Sequence, residues 1–316
     1  MSRQLSEKTI EFLEDAPIFF QPWWLQAVSP DNWGVTVVEK GEEVVAVLPY
    51  AYKVRLNRYL LIKMPLLTPY QGPWIKSSSR KLESKRLEEE KQLMIKLIDK
   101  LPQFASFDQW FHPFITNWLP FHWKEFQETT LYTYIIDDLT DLDRVFSNFS
   151  YSKRKNIKKA KNVVDVYQDL PCKEFYENLT MTLSKQGKRI LYSYEFFRRF
   201  YNACIEHNAG KIFYAVDRNG NLHAAIFIVY DNKSAYYLIS TIDPDFRNSG
   251  SVSLLVQEAI KFASTKNIKF DFCGSMIETI ERSSREFGGK QVPFFEISKI
   301  DSKIVKTYRS LYNLVH

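Results

Sequence analysis

The sequence predicts an α/β (α+β) protein of two related halves, each a mixed, mostly antiparallel sheet flanked by helices. Three observations predict it. Two glycine-bearing turns, Glu39-Lys-Gly-Glu42 and Asp217-Arg-Asn-Gly-Asn221, each separate a pair of strand-like apolar runs, and glycine supplies the positive φ a tight hairpin needs. In both halves the hairpin is followed by a third strand, a helical stretch and another strand, an order unlike the strict βαβ alternation of nucleotide-binding sheets. The length, 316 residues, accommodates two domains of ordinary size.

In chain order, residues 5–15 and 22–28 read as short helices, 35–38 and 44–52 as the first hairpin, and 59–64 as a third strand. Residues 80–101 place Leu82, Leu87, Leu93, Ile95, Leu97 and Ile98 among charges, the pattern of a helix with one buried face, and Pro102 ends it. Strands at 104–111 and 131–136 close the first half. A strand at 164–167 and helices at 174–185 and 194–207 lead into the second hairpin, 211–216 with 222–230. A strand at 234–242, an apolar helix at 251–263, a strand at 268–273, a helix at 277–287 and a strand at 292–297 complete it. The organisation expected is an N-terminal domain at 1–146, with the boundary falling between 137 and 153, and a C-terminal domain at 147–304. A closing segment at 305–316 carries Tyr308, Leu311 and Leu314 on one helical face, suited to packing back on the first half.

Hydrophobic residues make up 45% and charged residues 25%, the balance of a soluble globular protein. Aromatic residues gather at 19–24 and 110–123, where they either build core or line a groove for a sugar or acyl chain. The net charge of +6 is unevenly spread: Ser152-Lys-Arg-Lys-Asn-Ile-Lys-Lys-Ala-Lys161 holds six cations and no acid. Such a run suits phosphate, nucleic acid or an anionic membrane surface. Three widely spaced cysteines, Cys172, Cys204 and Cys273, argue against a disulfide framework and a structural zinc site, and no metal is expected. The first residues lack the apolar core of a signal peptide and no long apolar run follows, so a cytoplasmic protein without a transmembrane segment is expected.

Three stretches, in this order and spacing, resemble the Fem-type aminoacyltransferases and their GNAT-like relatives. They are the basic run at 152–160, Phe270-Asp-Phe-Cys-Gly-Ser275 ending a strand in a Gly-Ser turn, and Glu286-Phe-Gly-Gly289 leading into Val292-Pro-Phe-Phe-Glu296. The resemblance implies tandem GNAT-like domains, the N-terminal one degenerate and on the acceptor side, the C-terminal one on the acyl-donor side. It implies transfer of an acyl or aminoacyl group from an activated carrier, acyl-CoA or aminoacyl-tRNA, to an amine, with no permanently bound cofactor. The acceptor would be a small molecule or a cell-envelope precursor, and tRNA is an admissible partner. The long helical arm of the family's cell-wall members has no counterpart here.

Direct attack by an amine needs an oxyanion donor, proton removal and a grip on the carrier's phosphates. No Gly-x-Ser-x-Gly or comparable nucleophile motif is present. For phosphate, Arg247, Asn248, Ser249 and Gly250 precede an apolar helix whose N-terminus favours anions. In the GNAT family this junction holds coenzyme A pyrophosphate; Arg247 and Gly250 match its motif and Val252 departs from it. The other reading is an ordinary capped helix. Arg154, Lys158 and Lys161 share one helical face, either solvated or phosphate-binding. Arg285 stands one step after the family's lysine position, which here is Ser284, and is a candidate oxyanion donor or a surface ion pair. Asp271 between two phenylalanines is a candidate base or a loop cap. Lys188, Arg189, Tyr192 and Tyr194 either resemble the family's substrate-phosphate contacts or form a plain exposed interhelical loop, Ser275 lies in the Gly-Ser turn, and Gln21 and Trp24 either line the acceptor side or form a buried aromatic staple. A non-catalytic scaffold binding phosphate or nucleic acid is the alternative function.

Overall fold

The computed structural model describes residues 5–168 and 170–302. The closing helix expected at 305–314 lies outside them. The described residues divide into two compact units, one taking those up to Leu131 together with those from Pro293 to Ser302, the other Tyr132–Val292. Both divisions fall inside a strand, the first of them ahead of the expected bound at 146/147, and the expected bound at 304/305 lies outside the described residues.

In the first unit, Ser6 caps α1 (Glu7–Glu14) and Pro22 opens α2 (Pro22–Val28). β1 (Trp33–Lys40) and β2 (Glu43–Arg55) form the expected hairpin around Gly41, and β3 (Tyr59–Ile62) pairs antiparallel with β2. β4 (Trp74–Ile75) adds to β2. α3 (Glu83–Asp99) buries Met94, Leu97 and Ile98, so its inward stripe is confined to its second half. β5 (Ser106–Trp110) runs parallel to β3, and α4 (Leu119–Trp123) follows. Phe107, Phe111, Phe121 and Phe126 fill the core between them, each fully burying a ring worth roughly 1.5–3 kcal/mol.

β6 (Gln127–Ile136) carries the chain into the second unit. There α5 (Leu142–Ser147) and the basic α6 (Tyr151–Ala160) precede β7 (Val164–Tyr167), α7 (Cys172–Lys185) and α8 (Tyr194–Glu206). β8 (Gly210–Asp217), β9 (Leu222–Tyr230) and β10 (Ser234–Ile242) form an antiparallel meander, extended by β7 beside β8. α9 (Ser251–Thr265) is apolar on most sides because it is buried on most sides. It returns the chain to β11 (Lys269–Asp271), parallel to β10 and antiparallel to Ile135–Ile136 of β6. α10 (Glu278–Arg285) then leads to β12 (Lys290–Ile300), whose residues from Glu296 pair with β5 of the first unit. Each unit therefore has the order expected for it, a hairpin, a third strand, a helix and another strand, and in both that last strand pairs parallel with the third.

Candidate functional site

The second unit's sheet opens between β10 and β11. β10 and β11 pair only over Ser234–Tyr236 with Lys269–Asp271. β10 runs on to Ile242, still held on its other side by β9, with a register shift between Tyr237 and Ile239. The chain leaves β11 through Cys273 and Gly274, at φ 58° and 65°, two successive left-handed residues that turn it away from β10. The opening is flanked by Tyr237 and Phe272, edge to face with centroids 6.2 Å apart. Burial pushes the Tyr237 hydroxyl up to about 12.

Asp271 ends β11 at the point of divergence and is 1% exposed. One carboxylate oxygen accepts from Thr133 Oγ1 at 2.7 Å and from the Cys273 N–H at 2.8 Å, so it caps the left-handed turn. Burial first, then Asp271, holds the Cys273 thiol well above its ordinary range. Ser275 accepts from the Ile277 N–H at 3.1 Å and so helps start α10.

On α10, Arg285 donates from Nε to Glu281 at 3.0 Å, and Glu281 also accepts from the Tyr134 hydroxyl. Gln291 donates to the same hydroxyl at 3.0 Å. The Tyr134 bond, then Arg285, lowers the Glu281 carboxyl, while burial and then Glu281 raise the Tyr134 phenol. Arg285 is thus a half-exposed cation aimed by a carboxylate that a buried tyrosine holds in place. Tyr134 and Glu281 carried no sequence motif, although Glu281 stands at i−4 to Arg285, a spacing that reads as an ion pair.

The loop before α9 is built differently from an open phosphate cradle. Arg247 and Asn248 are exposed on the 3-10 turn Pro244–Ser249, which Lys185 grips through Asp243 and Asp245 at 2.7 and 2.6 Å. His223 stacks on Phe246 of this turn at 4.0 Å. Gly250, at φ 82°, faces α6: a Cβ there would lie 2.3 Å from the Asn156 carbonyl oxygen. Ser249 and Ser251 are buried and bonded to each other at 2.9 Å. Glycine at 250 is therefore required by packing, and the first turn of α9 is enclosed.

Of the basic run, Arg154 is engaged with the Ser147 and Phe149 carbonyls, both at 2.6 Å, at the end of α5. Lys158 is exposed. Lys153, part of the same run, is buried. Its ammonium donates to Ser283 at 2.7 Å and lies 4.5 Å above the Phe287 ring. Lys188 and Arg189 are exposed at the end of α7, whereas Tyr192 packs against Phe197 and accepts from the Tyr176 hydroxyl at 2.9 Å through its carbonyl. Tyr194 lies beside the Tyr176 ring, centroids 5.4 Å apart. In the first unit, Gln21 binds the Leu13 and Ala16 carbonyls that end α1, and Trp24 is fully buried with its N–H on Thr68 at 2.9 Å. Gln21 holds the α1–α2 corner together, and Trp24 ties α2 to the segment after β3. Among the described residues no group of three or more His, Cys, Asp or Glu could hold a metal ion, and no helix is long and apolar enough to cross a membrane.

Residues 191–278 match the family model described as an acetyltransferase (GNAT) domain, a stretch that contains the meander, α9, β11 and the divergence between β10 and β11. The whole chain is similar in fold to FemX, at 13% identity and a TM-score of 0.68 over 93% of this chain and 97% of that one. It is also similar to the C-terminal domain of a putative lysylphosphatidylglycerol synthetase from Agrobacterium fabrum, at 10% identity and 0.55 over 98% and 95%. A tandem GNAT protein from the clavulanic acid biosynthesis pathway shares 9% identity and scores 0.52 over 92% and 93%. No curated protein matches the chain by sequence. The fold is the tandem GNAT-like arrangement that the Fem type shares.

Proposed function

We propose that the protein is an N-acyltransferase that moves an acyl or aminoacyl group from an activated carrier to an amine by direct attack. The observation that carries this reading is the divergence of β10 from β11 past Tyr236 and Asp271. It leaves one backbone edge of β10 for an extended donor, within the stretch that matches the GNAT domain. Asp271 stands at its inner end as the base for the attacking amine, and Arg285, aimed by Glu281, is the cation for the developing oxyanion. Ser275 shapes the turn between them. Lys188, Arg189 and Tyr194 are assigned to the substrate, with Tyr192 supporting them, while Gln21 and Trp24 are taken up in the first unit's own packing.

For the carrier's phosphates the exposed Arg247 and Asn248 are the contacts, with Ser249 and Gly250 setting the loop's form. The enclosed first turn of α9 favours a carrier gripped by side chains, aminoacyl-tRNA, over coenzyme A seated in a backbone cradle. Arg154 is left out of this grip because two carbonyls already hold it, and Lys158 belongs to the outer face of α6. The test presents purified protein with radiolabelled acetyl-CoA and with radiolabelled aminoacyl-tRNA, and follows donor binding and transfer to an amine panel. Retention of either donor, with transfer lost in Asp271→Asn and Arg285→Ala, supports the reading. Retention of neither returns the protein to the scaffold alternative.

A further inference from the structure

We propose that α6 and α10 form a docking surface for an anionic lipid bilayer. The two helices adjoin. The Ser150 N–H donates to the Glu286 carbonyl at 2.8 Å, Ser152 approaches the Glu286 carboxylate at 3.3 Å, and Lys153 reaches Ser283 at 2.7 Å. Ile157, Ala160 and Lys153 face inward on α6, which leaves Lys155, Lys158, Lys159 and then Lys161 in solvent. Among the described residues none of these four lysines forms an ion pair.

α10 has a composition at odds with its surroundings. Of its eight residues only Ser284 is buried, while Ile280 is 48% exposed and Ile277 and Met276, in the entry turn, are 58% and 60% exposed. Ile280 lies three residues before Ser283, on the same face and one turn from the point where Lys153 joins the helices. Tyr151, at the start of α6, is 75% exposed. Apolar side chains thus border a cationic helix, with Arg282 exposed beside them and Glu278 the exposed acid among them. A bilayer carrying anionic lipid satisfies both parts: headgroups take the lysines and the acyl boundary takes Met276, Ile277, Ile280 and Tyr151. The phosphate backbone of a nucleic acid would take the lysines and leave the apolar residues in water.

The experiment is co-sedimentation of the full chain with phosphatidylcholine vesicles, with and without phosphatidylglycerol, at low and high salt. The expected result is binding only to vesicles containing phosphatidylglycerol, weakened by salt. Joint substitution Lys155→Gln, Lys158→Gln and Lys159→Gln should lower the partition coefficient on the order of a hundredfold. Met276→Ser with Ile280→Ser should lower it roughly tenfold at a given salt concentration. All five positions are exposed, and circular dichroism of each variant checks that it folds. Three outcomes overturn the proposal: no binding to anionic vesicles, variants that bind like the parent chain, or equal binding to neutral vesicles. A poly(U) complex lost in the lysine variant, with vesicle binding absent, would make the surface one for nucleic acid. A dimer that Ile280→Ser dissociates, again without vesicle binding, would make it a contact with a second copy. Neither readout depends on acyl transfer.

Discussion

The carbonyl of Asn156 sits directly against the α-carbon of Gly250, where a Cβ would fall 2.3 Å from the oxygen. Backbone meets backbone, so neither side can yield as a flexible side chain would. Gly250→Ala should cost about 2–4 kcal/mol, the sum of a left-handed alanine and an overpacked contact. Gly220 is the control, since it has nearly the same φ, 83°, and nothing within 4 Å of its would-be Cβ. Gly220→Ala should cost only about 1 kcal/mol. Urea unfolding of the two variants checks the difference, and equal losses would remove the packing argument.

Lys153 yields a pH prediction. Burial depresses its ammonium below the ordinary 10.5, partly opposed by Glu286. Between the lowered folded value and 10.5 the unfolded chain holds more protons than the folded one, so this residue makes stability rise with pH across that window. Lys153→Met, which keeps the stem over Phe287, should flatten the rise. At neutral pH it should change stability by about 1 kcal/mol or less, because the lost Ser283 bond is offset by the removed desolvation. Urea midpoints from neutral pH to above 10.5 test it; parallel profiles for the two proteins would contradict it.

Asp271 can be separated into a structural and a chemical part. Thr133 and Cys273 donate to the same carboxylate oxygen, and an asparagine oxygen can accept both bonds. Asp271→Asn should therefore lose about 1 kcal/mol, against about 3 kcal/mol for Asp271→Ala, which leaves two buried donors unmatched. If Asp271 removes the amine proton, Asp271→Asn should still lower turnover on the order of 10²–10⁴-fold. Asparagine with full turnover would leave Asp271 as a cap alone.

The elements were legible where periodicity is strong. α2, β7, β9 and β10 have the limits that alternating or apolar runs gave them, and both hairpins form around Gly41 and Gly220. Short elements such as β4 and α4 escaped because two to five residues carry no period, and Trp74 or Trp123 reads equally as loop. The site was legible as residue types and not as partners. Arg285 and Asp271 stand out by charge in their setting, but Tyr134 and Thr133 lie more than 130 positions away along the chain, brought to them by the pairing of β6 with β11. Lys153 illustrates the opposite failure. Its charge reads in the sequence as one of a run of six cations suited to an anionic partner, whereas the i, i+4, i+7 series Lys153, Ile157, Ala160 turns it inward.

The last prediction concerns the chain Tyr134–Glu281–Arg285. Attack on a donor ester places negative charge on one oxygen, and a cation beside it acts chiefly in the transition state. Arg285→Ala should lower kcat on the order of a hundredfold or more with KM nearly unchanged. Arg285→Lys keeps the charge but loses the fork that meets Glu281 through Nε, so partial activity should return. Glu281→Gln isolates aim from charge: Arg285 remains cationic but loses the carboxylate that fixes it, so kcat should fall by about tenfold while the lysine variant gains nothing further from the same change. The pH dependence follows from Glu281, whose carboxyl is held below its ordinary 4.5, first by the Tyr134 bond and then by Arg285. A depressed carboxyl contributes above 4.5 and loses its contribution as pH falls through the lowered value, so under the proposed function the parent chain should keep its Arg285-dependent rate down to about pH 4.5 and lose it only in more acid solution. Tyr134→Phe removes the first cause of that depression and should move the acid limb upward. An acid limb unmoved by Tyr134→Phe, together with an inert Arg285→Ala, would take the α10 cation out of the chemistry and leave Asp271 as the charged group at the divergence of β10 and β11.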